Sequence, residues 1–142
     1  MDPTLPSYVG FVDGASRWSL NLASAVWVID SLSHELIHID GMCVSISTNN
    51  QVEYDSVVGL LTAALHLGIC HLDVFLDSQL LVSQLNNCYR VRDPCLFRKL
   101  RCIRHFLIHF KSISFVNVPK SLDSVADQME NDILEWHINH HI

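Results

Sequence analysis

The sequence predicts an α/β fold in which a five-stranded mixed sheet, an antiparallel meander followed by parallel strands, is flanked by helices. Three observations carry that expectation. The first third of the chain holds three β-rich apolar runs in succession, a run of apolar residues at helical spacing follows, and short strands and helices alternate from there on. Neighbouring antiparallel strands need only a tight turn, whereas parallel strands need a crossover segment, so meander first and alternation later imply a mixed sheet covered by helices.

Each element has a local reason. Tyr8 to Asp13 (YVGFVD) has the apolar, β-rich character of a buried strand, and Gly14 reads as its end. Asn21 to Asp30 and Glu35 to Ser47 read as two further strands joined by a turn at Ser31 to His34. From Val52 to Leu67 the residues Val57, Val58, Leu60, Leu61, Ala64, Leu65 and Leu67 recur at helical spacing, and Gly68 closes the helix. Thr48, Asn49 or Asn50 can cap that helix, with Glu53 close enough to complete a capping box. Cys70 to Leu76 is a short strand, followed by Asp77 and a helical stretch from Ser78 to Leu85. Pro94 to Phe110 reads as a long basic helix whose Leu96, Leu100, Ile103 and Leu107 form an inner stripe. Ser112 to Pro119 reads as the last strand. A closing helix from Ser121 sets Leu122, Val125, Ala126, Met129, Ile133 and Trp136 on one face, with Asp127 and Glu130 off it.

Composition narrows the classes. With 142 residues, 49% of them hydrophobic, the chain suits one compact domain, residues 1–142 with a core over 8–136. No apolar run approaches the roughly 20 residues that span a bilayer, and MDPTLPS at the start lacks the regions of a signal peptide. The expectation is an intracellular protein, cytoplasmic or nuclear, with no membrane partner. Met1 so close to the first strand suggests an isolated domain, and a monomer is expected. The cysteines, Cys43, Cys70, Cys88, Cys95 and Cys102, form an odd set without a CxxC pair and read as buried free thiols. The histidines are scattered or end the chain, and no transition-metal set is expected from them.

Charge is uneven. The net charge is -6, yet Arg90, Arg92, Arg98, Lys99, Arg101, Arg104 and Lys111 stand together, opposed in that window only by Asp93. A window of +6 on a chain otherwise at -12 suits a polyanion on one side and cations on the other; a solvated helix face is the alternative. Four acids fall where one end of the sheet could gather them: Asp13 on the first strand, Glu53 at the start of the first helix, Asp77 after the fourth strand and Asp127 in the closing helix. Any one of them alone is more often a cap or a solvated charge. Clustered carboxylates repel one another, so a protein that gathers four generally pairs them with a hard cation. Two magnesium ions would suit, with manganese as the alternative, and two-metal phosphodiester hydrolysis is the chemistry such a pair supports.

At these residues the sequence resembles the ribonuclease H family, especially the plant retrotransposon type described as reverse-transcriptase-like. The matching stretches are Phe11-Val12-Asp13-Gly14-Ala15-Ser16, Thr48-Asn49-Asn50-Gln51-Val52-Glu53-Tyr54, Asp77-Ser78-Gln79-Leu80, and Val118-Pro119-Lys120 leading to Ala126-Asp127, in order and in register over residues 8–136. The resemblance implies a ribonuclease H-like fold and an endonuclease acting on the RNA strand of RNA/DNA hybrids, with possible present or former fusion to a reverse transcriptase. It implies that Asp13, Glu53, Asp77 and Asp127 bind the metals, and that Ser16, Asn49, Asn50 and Gln79 contact the nucleic acid. Amides suit a minor groove because they donate to and accept from 2'-hydroxyls and base edges. Arg90, Arg92, Arg98, Lys99 and Arg101 are assigned to the phosphates of the DNA strand on charge clustering rather than on a family motif.

The sequence departs from the family's pattern at three places. Asn117 stands where the family usually has a histidine ten residues before the last acid. Asp123 replaces the usual asparagine, and Arg17-Trp18-Ser19-Leu20-Asn21 replaces a glycine-rich turn. An amide cannot shuttle protons, so metal binding with slowed cleavage is expected. The competing expectations are a module that binds hybrid or double-stranded nucleic acid without turnover, and a plain interaction domain.

Overall fold

In a computed structural model of the chain, residues 6–17, 22–33, 35–45, 49–86 and 91–118 are described. The β-rich runs pair as a meander: β1 (Ser7–Arg17) with β2 (Leu22–Ser31), and β2 with β3 (Leu36–Ser45), both antiparallel. β4 (His71–Leu76) joins the free side of β1 in parallel, and β5 (Ser112–Asn117) lies parallel to β4, giving the order β3-β2-β1-β4-β5. Among the described residues three helices connect them: α1 (Asn49–His66) between β3 and β4, then α2 (Gln79–Leu85) and α3 (Pro94–Leu107) between β4 and β5.

Local chemistry accounts for the helix ends. α1 stops where Gly68 takes a φ of 75°, a left-handed conformation that glycine adopts without a Cβ penalty, and Ile69 N–H returns to Ala64 C=O at 3.0 Å. α3 starts with Pro94 behind the cap Asp93, whose Oδ1 accepts from the N–H groups of Cys95 (2.8 Å) and Leu96 (3.1 Å). The core lies on one face of the sheet. Val57, Leu60, Leu61 and Ala64 of α1 meet Ala25, Trp27 and Ile29 of β2, with Leu72, Val74 and Leu76 of β4 and Leu100 and Ile103 of α3 in the same cluster. α1 comes close enough that Gly59 rests against the Trp27 indole and Leu60 rests against Gly10. A smaller cluster of Val26, Val28 and Phe11 forms separately.

Several expectations change. β1 does not end at Gly14 but runs to Arg17, because β2 continues the ladder through Gly14↔Ala25 to Arg17↔Leu22, and a paired partner overrides the turn preference of glycine. α1 begins at Asn49, three residues earlier than expected, so Asn50 is helical and cannot cap it. Glu53 is then the fifth residue of the helix, beyond the third position that closes a capping box. α3 ends at Leu107; the N–H groups of His109 and Phe110 fall back to Phe106 and Leu107, which turns Phe110 into the core. The four described cysteines are free, but none is fully buried: Cys43 lies on an edge strand, Cys70 just ahead of β4, and Cys95 and Cys102 on α3 away from its inner stripe. The closing helix expected from Ser121 lies outside the described residues.

Candidate functional site

The parallel pairing of β1 with β4 leads toward two of the acids. The last paired positions are Phe11 and Phe75, whose rings stack at 5.5 Å. Two residues further along each chain come Asp13, still on β1, and Asp77, the first residue after β4, just beyond the last paired position. Asp77 is the first residue beyond β4 and is half-buried. β5 closes the same edge: Val118 N–H donates to Leu76 C=O at 2.8 Å, and the Asn117 side-chain amide donates to the same carbonyl at 3.3 Å. Asn117 thus braces the residue immediately before Asp77.

The third acid arrives by a different route. α1 runs back along β1, with Leu60 over Gly10. Glu53 lies seven residues earlier on the helix, about 10 Å at 1.5 Å per residue. Asp13 lies three residues later on the strand, also about 10 Å. The opposite directions of helix and strand therefore bring Glu53, which is half-buried, to the level of Asp13. Asp13 is located here by its backbone alone, and Asp127 lies outside the described residues. Among the described residues, no group of three or more His, Cys, Asp or Glu side chains stands close enough to hold a metal ion.

Around these positions the helix starts are tied together. Ser78, directly after Asp77, accepts from Leu81 N–H at 3.2 Å and caps α2, so its hydroxyl is engaged as a cap. Tyr54, next to Glu53, donates its O–H to Gln84 Oε1 of α2 at 2.6 Å, with both residues buried. Burial pushes the Tyr54 pKa up to about 12, with the positive charge of Arg104 acting the other way. This bond joins the helix that carries Glu53 to the helix that Asp77 precedes. Sequence reasoning missed it because the two residues are 30 positions apart and Tyr54 reads as an ordinary core aromatic.

The sequence-predicted nucleic-acid residues divide by position. Gln79 opens α2 and is exposed; Asn49 and Asn50 open α1; Ser16 stands near the end of β1 opposite Ala23. On and before α3, Arg92, Arg98 and Arg101 are exposed, whereas Lys99 reaches Asp55 of α1 at 2.5 Å. Lys99 therefore ties α3 to α1. Arg90 lies outside the described residues.

A family model described as reverse transcriptase-like matches residues 11–132. Ribonuclease HI of Halobacterium salinarum is 34% identical over 125 residues, covering 88% of this chain and 63% of that protein. The crystal structure of RNase H1 from the same archaeon gives a TM-score of 0.86 at 33% identity, over 91% of this chain and 98% of that one. A bifunctional protein of Mycobacterium tuberculosis is 27% identical over 124 residues, covering 87% of this chain but 34% of that protein. The N-terminal RNase H domain from the same bacterium, solved as a fusion with maltose-binding protein, gives a TM-score of 0.88 at 25% identity over 96% of this chain and 99% of that one. An RNase H1 from compost, solved in complex with an RNA/DNA hybrid, shares the fold at a TM-score of 0.86 and 24% identity, over 93% of this chain and 99% of that one. The expected ribonuclease H-like architecture is therefore the observed one, and the chain spans only part of the two curated relatives.

Proposed function

We propose that this chain, which belongs to the reverse transcriptase-like family, is a metal-dependent endonuclease that hydrolyses the RNA strand of RNA/DNA hybrids. One observation supports the reading: the β1–β4 register runs to Phe11↔Phe75, two residues before Asp13 and Asp77, at the end of the sheet where α1, carrying Glu53 near its start, begins its return along β1. Three acids distant in the chain, carried by β1, the start of α1 and the residue after β4, lie toward the same end of the sheet. Similarity to ribonuclease HI supports the same substrate class. We read residues 1–142, with a core over 8–136, as a single domain of retroelement origin.

The donor set fits a hard divalent cation, since carboxylate oxygens are the ligands magnesium and manganese prefer. Asp13, Glu53, Asp77 and Asp127 would hold it, as a pair of ions. When bound, such ions supply Lewis acidity at the attacked phosphate and favour ionisation of the attacking water. The chain's own residues do the remaining work. Ser78 and Asn117 fix the segment on either side of Asp77. The Tyr54–Gln84 bond holds α1 against α2, and so holds Glu53 in place relative to Asp77. Asn49, Asn50 and Gln79 would read the minor groove with donors and acceptors together, and Ser16 would contact the strand beyond Asp13.

The test is cleavage of an end-labelled hybrid with magnesium, with manganese and with EDTA, beside single-stranded RNA and duplex DNA. The expected outcome is metal-dependent cutting of the RNA strand in the hybrid alone, abolished by Asp77→Asn with hybrid binding retained. Salt-sensitive hybrid binding without any cutting would sink the catalytic reading. It would favour the second one, a binding module without turnover, for which the specific observation is Asn117: its amide is engaged with Leu76 and cannot pass a proton.

A further inference from the structure

The outer face of α3 carries chemistry that the acid-bearing edge does not use. Phe97, Arg101, Arg104 and His105 fall at steps of four, three and one along the helix, which makes a single stripe, and together they line an open groove of about 380 Å³. Phe97 is 43% exposed while Leu100 and Ile103, on the inner stripe of the same helix, are buried, so its ring is not part of the core. Arg101, Arg104 and His105 are exposed beside it. The stripe also has a direction. Lys99 contacts Asp55, two residues after Glu53, so the first turns of α3 flank the first turns of α1. From that end the stripe leads away along α3, over about 12 Å from Phe97 to His105.

We infer that this stripe binds an unpaired polynucleotide strand continuing from the hybrid, with Phe97 stacking on a base and Arg101, Arg104 and His105 facing phosphates. The inference rests on the proposed function for the hybrid at the acid-bearing edge. A polyanion is the occupant that charge favours, because the 90–111 window stands at +6 on a chain otherwise at -12. An unpaired strand is favoured over a duplex because a paired base offers only its edge in a groove, whereas an unpaired base offers the face that an exposed aromatic ring can stack on. Arginines around that ring add both charge and a planar surface for stacking.

The experiment measures binding of the full chain, in EDTA, to a blunt RNA/DNA hybrid and to the same hybrid carrying a single-stranded extension. The extension is DNA in one arm and RNA in the other. One stacked base is worth about 1–3 kcal/mol, so at least one extension should tighten binding by about fivefold or more. Phe97→Ala should remove that gain and Phe97→Trp should keep it. Arg101→Ala should lower the steepness of the salt dependence for the extended hybrid by about one. No gain in either arm, or a gain that survives in Phe97→Ala, overturns the inference; circular dichroism on the same samples confirms that each variant is folded. The two readings fail separately. Cleavage of blunt hybrid without an extension gain overturns the stripe alone, and an extension gain without cleavage overturns the catalytic reading alone.

Discussion

Replacing Gly59 with alanine sets two physical effects against each other at the closest approach of α1 to β2. A Cβ at Gly59 would lie 2.4 Å from Trp27 Cζ3 and 2.6 Å from two neighbouring ring carbons. Carbon atoms in contact sit about 3.5–4.0 Å apart, so helix or indole must retreat by about 1 Å or more. Trp27 has little room to retreat: it is 8% exposed and sits in the main core cluster. Overpacking of this kind costs about 1–3 kcal/mol, and a clash this deep belongs at the upper end. Exchanging glycine for alanine inside a helix returns about 1 kcal/mol. The expected net loss is therefore about 1–2 kcal/mol, read by urea unfolding. Activity should fall further than stability. Glu53 is six residues away on the same helix, and a misplacement of about 1 Å at a reacting centre costs on the order of 100-fold in rate. Trp27→Phe in the Gly59→Ala background should recover part of the loss, with a coupling of about 1 kcal/mol in the double-mutant cycle. A Gly59→Ala protein as stable as the parent and cleaving hybrid at the same rate would refute the reasoning, because helix propensity would then outweigh the contact.

Other expectations concern the edges of the site. The Tyr54 pKa is about 12 in the fold against about 10 in an unfolded chain, so the folded state keeps a proton that the unfolded state releases. Stability should be fully present below pH 10 and fall as pH rises towards 12; Tyr54→Phe should flatten that fall, and an unchanged slope in a pH series of unfolding curves would count against it. At neutral pH the same variant should lose about 1–3 kcal/mol, because Gln84 Oε1 stays buried without its donor. Asp93→Ala removes the acceptor for two N–H groups of α3 and should cost about 0.5–2 kcal/mol by thermal unfolding. Asn117→His should raise the hybrid cleavage rate by about tenfold by restoring a proton-transfer group beside Asp77, whereas Asn117→Ala should not; equal rates in the two variants would remove proton transfer from the account.

What could be read from the residues, and what could not, follows from the range of the forces involved. Among the described residues, strand and helix identities came through because β-branched runs and helical apolar spacing are local signals, and they yielded the sheet and its order of elements. Gly14 misled because its turn preference is local while the ladder that holds it in β1 is made by β2. The start of α1 misled because asparagine favours a cap but also serves in a first turn, and that shift of three residues removed Glu53 from the capping box. The Lys99–Asp55 pair and the Tyr54–Gln84 bond join residues 44 and 30 positions apart and leave no periodic trace. Phe97 was legible in principle, since it falls off the inner stripe of Leu96, Leu100, Ile103 and Leu107.

The positions of Asp13 and Asp77 along the sheet follow from register more than from spacing in the chain. β1 has an antiparallel neighbour on one side and a parallel one on the other, and where such a change occurs the chain leaves the parallel strands at one common edge. Residues that end β4 and residues that open the helix returning along β1 are delivered there whatever their separation in the chain. Alignment along that edge is less forgiving. A slip of one residue between β1 and β4 would shift Asp77 by one position relative to Asp13, and would turn each side chain of β4 to the opposite face. The last feature resisting such a slip is the stacked pair Phe11 and Phe75, directly before the two acids. Their stacking would be lost with the register, since a slipped β4 would present Val74 or Leu76 to Phe11 instead. The aromatic pair thus helps fix the register in which β1 leads to Asp13 and β4 to Asp77, and Asn117 braces the carbonyl between that pair and Asp77.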